Sequence, residues 1–151
     1  MADVASGWGF EMVRLDQVNI VVEDMEAMSA FYERLGVPIQ RGLPQWAPHH
    51  RNTGSAEGID IDLDSDEFAA VWNEGWPGGG GIVLGFRVGS REEVDRLYED
   101  LTAAGYTGQQ PPYDAFWGSR YAIVADPDGN AVGLMSPADD ERRTPPPTPP
   151  S

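Results

Sequence analysis

The chain contains no cysteine and no lysine, and only two histidines. Without cysteine there is no disulfide framework, thiolate zinc site, iron–sulfur cluster or cysteine nucleophile. The two histidines, His49 and His50, are adjacent, which excludes a three-histidine metal site within one chain. Positive charge is scarce as well. All ten cationic side chains are arginine and they face 25 carboxylates, for a formal net charge of −15. An acidic chain without a basic run lacks the cationic footprint that phosphate contacts need, so nucleic acid is excluded as a partner. No stretch approaches the roughly 18 apolar residues of a membrane span, and no membrane partner is expected. Residues 1–9 carry neither the basic flank nor the apolar run of a signal peptide, so the expected compartment is the cytoplasm.

The 151 residues suit one domain with a core of its own. Three parts are expected: a short N-terminal segment over 1–12, a folded domain over 13–137, and a disordered Pro-rich tail over 138–151. The tail has no apolar face to bury and ends in Pro145-Pro146-Pro147-Thr148-Pro149-Pro150-Ser151. Inside the domain a pattern repeats at an offset of 66 residues, with Val22 matching Val88. Residues 15–22 and 81–88 read as strands. Asp24 and Ser90 stand where a helix cap is needed, and Ser90-Arg91-Glu92-Glu93 has the form of a capping box. Met25, Met28, Tyr32 and Leu35 share one helical face, and Val94, Leu97, Tyr98 and Leu101 share another. Further strands are predicted over 37–41, near His49 and over 58–63 in the first unit. In the second they fall near Thr107 and over 120–125 and 131–136. Asp126-Pro127-Asp128-Gly129-Asn130 is the turn of a closing hairpin. Ser65 to Trp72 reads as a short capped helix. Gly78 to Gly81 reads as a flexible linker rather than a phosphate loop, because no Gly-Lys-Ser/Thr follows it. The fold class is α+β: two βαβββ units, over 13–77 and 81–137.

Alternation also sorts the strand faces. Gln17 and Asn19 oppose Val18, Ile20 and Val22. Val83, Gly85 and Arg87 oppose Leu84, Phe86 and Val88, and Ala131, Gly133 and Met135 oppose Val132 and Leu134. In Ile59-Asp60-Ile61-Asp62-Leu63-Asp64 the apolar set should be buried, with Asp60 and Asp62 toward a cleft or solvent. The aromatic residues Trp46, Trp72, Trp76, Tyr113, Phe116 and Trp117 are dense outside the strand pattern. Flat indoles in glycine- and proline-flanked segments suit stacking on planar molecules, although packing is the commoner role for a single tryptophan. Trp72 has the strongest core reading.

The segment LDQVNIVVEDMEAMSAFYERLG at 15–36 and the DPDGN turn at 126–130, set in two such units, resemble the vicinal oxygen chelate superfamily. That superfamily contains glyoxalase I, extradiol dioxygenases, fosfomycin-resistance enzymes and bleomycin-binding proteins. The stretches AGYTG at 104–108, FWGSRYAIV at 116–124 and DPDGN look most like its mitomycin-binding resistance members. The resemblance covers residues 13–137 and implies a curled sheet forming a cleft, with the helices outside. It also implies a homodimer whose cleft is completed across two chains.

The superfamily's metal ligands map onto Gln17, Val83 and Gly133. Valine has no donor atom, glycine has no side chain, and one neutral amide cannot hold a divalent cation against water. No metal and no other cofactor is therefore expected there. Gly85, Ala131 and Gly133 would instead leave room for a bulky ligand, or relieve strand curvature. The resulting expectation is a metal-free protein that sequesters a planar hydrophobic small molecule, an antibiotic among the candidates. Trp117, Phe116, Trp46, Trp76 and Tyr113 would supply the stacking surfaces. Gln17, Asn19, Asp62 and Arg120 would orient the ligand, with Gly85 and Gly133 giving space. The alternative is a metal-free enzyme on a polyketide-like or other small metabolite, with Asp62 or His49 as general base. A third reading is a metal-dependent lyase or dioxygenase with relocated ligands, such as His49, Asp62 and Gln17.

Overall fold

The computed structural model describes residues 13–54 and 58–150. The N-terminal segment over 1–12 lies outside them. Strand β1 (Arg14–Val22) runs into helix α1 (Met25–Leu35). The Asp24 carboxylate accepts the Ala27 N–H at 3.0 Å, and Gly36 ends the helix at φ 106°, a left-handed turn that favours glycine. Strands β2 (His50–Asn52) and β3 (Asp60–Ser65) follow, then the short helix α2 (Asp66–Trp72), capped by Ser65. The second unit comprises β4 (Gly81–Arg87), α3 (Arg91–Ala103), β5 (Gly108–Asp114), β6 (Arg120–Ala125) and β7 (Ala131–Met135). Ser90 accepts the Glu93 N–H at 3.2 Å, the serine half of the capping box, while the Glu93 carboxylate pairs with Arg96.

The seven strands form one mixed, curled and unclosed sheet in the order β2-β3-β1-β4-β7-β6-β5. In each unit the first strand lies parallel to the last, β1 with β3 and β4 with β7. The two units join where β1 meets β4 antiparallel. This is the expected α+β architecture.

Three details differ from the sequence reading. Residues 37–41 make only a single bridge, Gln40 to Asn52, because Pro38 has no N–H for a ladder. β5 contains Pro111 and Pro112, which it tolerates as an edge strand with two register shifts. Ile59 precedes β3 and is 45% exposed rather than buried.

The convex face of the sheet carries two helices at its two ends. Met25 of α1 packs on Val22 and Leu63, with Met28 and Tyr32 alongside. Val94 of α3 packs on Val88, Ala122 and Leu134. Between them the β1–β4 seam is uncovered, and Leu15, Ile82 and Leu84 are exposed there. The concave face holds the largest cluster. Val21, Val83, Tyr121, Ile123 and Ala131 from the strands meet Phe68, Ala69 and Trp72 from α2, with Trp46 and Ala115 from loops. α2 thus lies on the concave side and closes one end of the curl.

The segment after Pro137 was expected to be a solvated tail. In the structure it lies against the domain. Asp139 N–H donates to the Gly118 carbonyl at 3.0 Å, and Thr144 N–H donates to the Phe116 carbonyl at 2.9 Å. A single 3-10 turn over Asp140–Arg142 lies between these contacts. Backbone hydrogen bonds, rather than an apolar face, hold this segment, and composition alone carries no sign of them.

Candidate functional site

The part of the concave face not filled by the core is a cleft with a cavity of about 350 Å³. Its walls are aromatic: Trp46, Phe68, Trp72, Phe116, Trp117 and Tyr121 all line it. The rings brace one another. Trp46 meets Phe68 edge-on at 4.9 Å between centroids, Phe116 meets Trp117 at 5.2 Å, and Trp117 meets Tyr121 at 5.5 Å. Trp46 and Phe116 lie 6.4 Å apart at an angle of 29°. The Trp117 indole N–H donates to Met135 Sδ at 3.3 Å, which fixes the indole's orientation. Rings held in this way present flat surfaces at little entropic cost.

The floor is polar. Register places Asn19 beside Asp62 in the β1–β3 ladder and His50 opposite Asp64 in the β2–β3 ladder. Gln17 Nε2 donates to Asn19 Oδ1 at 2.9 Å and to Asp62 Oδ2 at 3.0 Å. Asn19 Nδ2 donates to Asp64 Oδ2 at 2.8 Å. His50 Nδ1 lies 2.6 Å from Asp64 Oδ1. The other face of β2 is anchored by Arg51, which is 3% exposed. Arg51 donates to the Ala47 carbonyl at 2.8 Å, to Ser29 Oγ at 2.9 Å and to Glu26. These bonds tie β2 to α1 and turn His50 toward the cleft.

Burial without a compensating cation dominates the electrostatics. Asp62 is 7% exposed, and its Oδ1 is buried with no hydrogen-bond partner. Desolvation, followed by the charges of Asp64 and Asp60, raises its pKa well above the usual carboxylate range. Asp62 therefore holds a proton more readily than an exposed acid. For His50, desolvation works against the cation. The hydrogen bond and charge of Asp64 outweigh it and leave the imidazole above its ordinary value. Burial also raises the Tyr121 hydroxyl.

The structure brings Gln17, Asn19, Asp62, Trp46, Phe116 and Trp117 to the cleft. It does not bring the remaining expected residues there. The Trp76 indole is turned to Asp66, donating at 2.7 Å, and the Tyr113 hydroxyl donates to the Trp72 carbonyl at 3.2 Å. Both rings pack behind the wall, against the core. Arg120 pairs with Asp95 of α3 and Asp114 of β5. His49 lies off the cleft lining and shares a hydrogen bond with Ser65 Oγ at 2.7 Å, so the histidine on the floor is His50. Gly85 and Gly133 add no volume to the cavity. A Cβ on Gly133 would stand 2.9 Å from Tyr121 Oη, and one on Gly85 would stand 3.1 Å from the Gln17 carbonyl oxygen. The space given up by Gly133 is filled by the neighbouring tyrosine.

The inherited metal positions do not fit a cation. Val83 is fully buried in the apolar cluster, and no side chain could extend from position 133 without displacing Tyr121. The sequence reading missed His50, Asp64, Phe68 and Tyr121. Continuing the alternation of Asp60 and Asp62 by one more step would have added Asp64.

Comparison with known proteins agrees with this geometry. The family model described as Glyoxalase/Bleomycin resistance protein/Dioxygenase superfamily matches residues 14–134. No curated protein matches the chain. Among solved structures, one described as NAD-dependent benzaldehyde dehydrogenase from Legionella pneumophila is 23% identical, with a TM-score of 0.58, covering 80% of this chain and 96% of its own. A superfamily member from Vibrio splendidus 12B01 is 16% identical, with a TM-score of 0.55, covering 83% and 100%. Methylmalonyl-CoA epimerase from Mycobacterium tuberculosis is 23% identical, with a TM-score of 0.50, covering 84% and 89%. These likenesses concern the fold.

Proposed function

The chain belongs to the glyoxalase/bleomycin resistance protein/dioxygenase superfamily, and on that premise we propose that its cleft binds and sequesters a planar, hydrophobic small molecule. The superfamily includes both enzymes and resistance proteins. The observation that carries the binding reading is the wall of six aromatic side chains around a cavity of about 350 Å³, with a short polar floor. Such a site derives its affinity from apolar burial, at about 25 cal/mol per Å² removed from water. Gln17, Asn19 and Asp62 would set the ligand's orientation, and the acidic floor favours a ligand carrying an amine or hydroxyl. The likeness of residues 104–130 to mitomycin-binding members makes an antibiotic the first class to try.

Tryptophan fluorescence tests the proposal. A panel of planar polycyclic compounds should include one that quenches emission saturably and is recovered unchanged by mass spectrometry. Absence of any saturable quencher would remove the support for sequestration.

One observation favours a second reading. The raised pKa and burial of Asp62 beside the cavity suit a general acid or base. A ligand recovered chemically changed, with turnover lost in Asp62→Ala while binding persists, would select the enzyme. His49 has no part in this reading, since it lies off the cleft lining.

The proposal extends to a cytoplasmic homodimer. Leu15, Ile82 and Leu84 on the uncovered β1–β4 seam offer a second copy an apolar face. Among the described residues no helix is long and apolar enough to cross a membrane. Light scattering and cell fractionation test these two points.

A further inference from the structure

We propose that His50, Asp62 and Asp64 form a binding site for a divalent transition-metal cation on the floor of the cleft, displaced from the positions that Gln17, Val83 and Gly133 occupy. The inference does not depend on the ligand-binding reading.

The three residues each present one ligating atom, and these atoms lie within 4.8 Å of one another. That figure is the outer bound: His50 Nδ1 and Asp64 Oδ1 stand 2.6 Å apart across a shared proton. An ion taking the proton's place at about 2.0–2.2 Å from each would spread this pair slightly and draw the Asp62 oxygen in. His50 and Asp64 occupy facing positions of two paired strands and Asp62 lies two residues along β3, so the spacing is set by the sheet rather than by a loop. An acidic cluster alone would not argue for a cation, because such clusters are common on protein surfaces. Here Asp62 is over nine-tenths buried, and its Oδ1 has no hydrogen-bond partner. A buried carboxylate oxygen without a partner calls for an explanation, and a cation beside it supplies one.

The surrounding contacts are those expected around a metal. Gln17 Nε2 holds Asp62 Oδ2, and Asn19 Nδ2 holds Asp64 Oδ2. Each amide therefore occupies one carboxylate oxygen, Oδ2, and leaves Oδ1 free of it, as a metal's outer contacts would. His50 Nδ1 now shares a proton with Asp64 Oδ1, and a cation binding at Nδ1 displaces that proton to solvent. His50 Nε2–H must then donate. The Asn52 amide stands 3.4 Å from it and can present its oxygen by rotating. A purely structural His–Asp pair accounts for His50 and Asp64 and gives Asp62 Oδ1 no hydrogen-bond partner.

The donor set defines the ion. One imidazole nitrogen with two carboxylates is too nitrogen-rich for calcium or magnesium and too hard for copper(I). It suits zinc, cobalt(II) or manganese(II). Three protein ligands leave coordination positions free. All three residues line the cavity, so those positions face the space in which a small molecule would sit.

The test uses the full-length, tag-free chain stripped with a chelator and titrated with Zn²⁺ by calorimetry and with Co²⁺ by visible absorption. The expected result is saturable binding of one equivalent, with Co²⁺ d–d bands and a zinc-dependent rise in Tm. His50→Ala and Asp62→Asn should each weaken binding at least tenfold. His49→Ala, which alters the adjacent histidine outside the cluster, should leave it unchanged. The proposal is overturned if stoichiometric binding is absent, if it survives both cluster substitutions in folded protein, or if His49→Ala abolishes it equally. Should the cluster variants fail to fold, the wild-type Tm rise and Co²⁺ spectrum decide. Tryptophan quenching measured on the metal-stripped protein reports on ligand sequestration separately, so failure of one reading is distinguishable from failure of the other.

Discussion

His50 Nδ1 lies 2.6 Å from Asp64 Oδ1, at directly paired positions of β2 and β3. Asp64 is fully buried and also accepts from Asn19. Its carboxylate therefore satisfies two donors that have no other partner of comparable strength. Asp64→Ala should destabilise the fold by about 1.5–3 kcal/mol, the range for losing hydrogen bonds to a charged group and stranding buried donors. The midpoint of urea unfolding measures this. His49→Ala, which loses one bond to Ser65, should cost less.

Trp117 carries the ligand-facing prediction. Its ring meets Phe116 and Tyr121 edge-on, and its N–H is engaged by Met135, leaving a ring face available in the cleft. Trp117→Leu keeps apolar bulk but removes the stacking surface. Affinity for a planar ligand should fall about twofold to tenfold, matching the roughly 0.5–1.5 kcal/mol of an aromatic pair beyond its area. Trp76→Leu should have a smaller effect on affinity, because Trp76 packs behind the wall and donates to Asp66. Fluorescence titration of both variants distinguishes them. Equal losses would mean that the two indoles do not differ in role.

Period-2 reasoning separated Gln17 and Asn19 from Val18 and Ile20, and the two repeated units were legible from caps and helix periodicity. The choice between His49 and His50 was not. β2 is only three residues long, and no alternation can be read in so short a strand. What turns His50 inward is Arg51 anchored on α1 across 22 residues of sequence, a tertiary contact. Gly133 failed for a related reason. Its missing side chain suggested open volume, but Tyr121 is cross-strand at Met135, two pairs away from the Ile123–Gly133 pair and on the same face, and lays its ring over the glycine. Strand register across two hairpin arms decides this, and composition does not encode it.

That contact yields its own prediction. Gly133→Ala puts a methyl group 2.9 Å from Tyr121 Oη and 3.1 Å from its ring, in a site where Tyr121 is buried and open only toward the cleft. Overpacking of this kind costs about 1–3 kcal/mol. Tyr121 should also shift toward the cleft and reduce ligand affinity. Gly85→Ala meets a backbone carbonyl rather than a side chain and should be tolerated no better. Urea unfolding and fluorescence titration, run together, separate the stability effect from the loss of cavity.

The closing hairpin gives a pH dependence. Asp126 accepts the Asn130 side chain at 2.9 Å and the Asn130 N–H at 2.8 Å, with the Asp128 N–H at 3.0 Å. These bonds, led by the Asn130 side chain, hold its pKa below the ordinary carboxylate value. A depressed folded-state pKa stabilises the fold above the unfolded value near 3.8, and that contribution is lost as pH falls through the folded value. Asn130→Ala removes the leading cause. The acid-unfolding midpoint followed by circular dichroism should therefore move to higher pH. An unchanged midpoint would show that the turn plays no part in acid stability.

The C-terminal segment bounds the cleft. Thr144 N–H donates to the Phe116 carbonyl at 2.9 Å, and Pro146 lines the cavity two residues later. Phe116 in turn meets Trp117 edge-on and stacks on Trp46, so the segment braces the aromatic wall from outside. A chain ending at Arg143 loses that bond and the Pro146 wall together. Two effects oppose each other in the shortened chain. A more open cleft should speed ligand entry, and a less supported wall should speed departure. Rigid surfaces contribute to affinity mainly through slow dissociation, so the second effect should dominate. The expected result is faster association, a larger increase in dissociation, and net weaker binding, read by stopped-flow tryptophan quenching. The emission maximum of the free protein should also shift to longer wavelength as Trp117 gains water. Unchanged rates in both directions would show that the segment rests on the wall without supporting it.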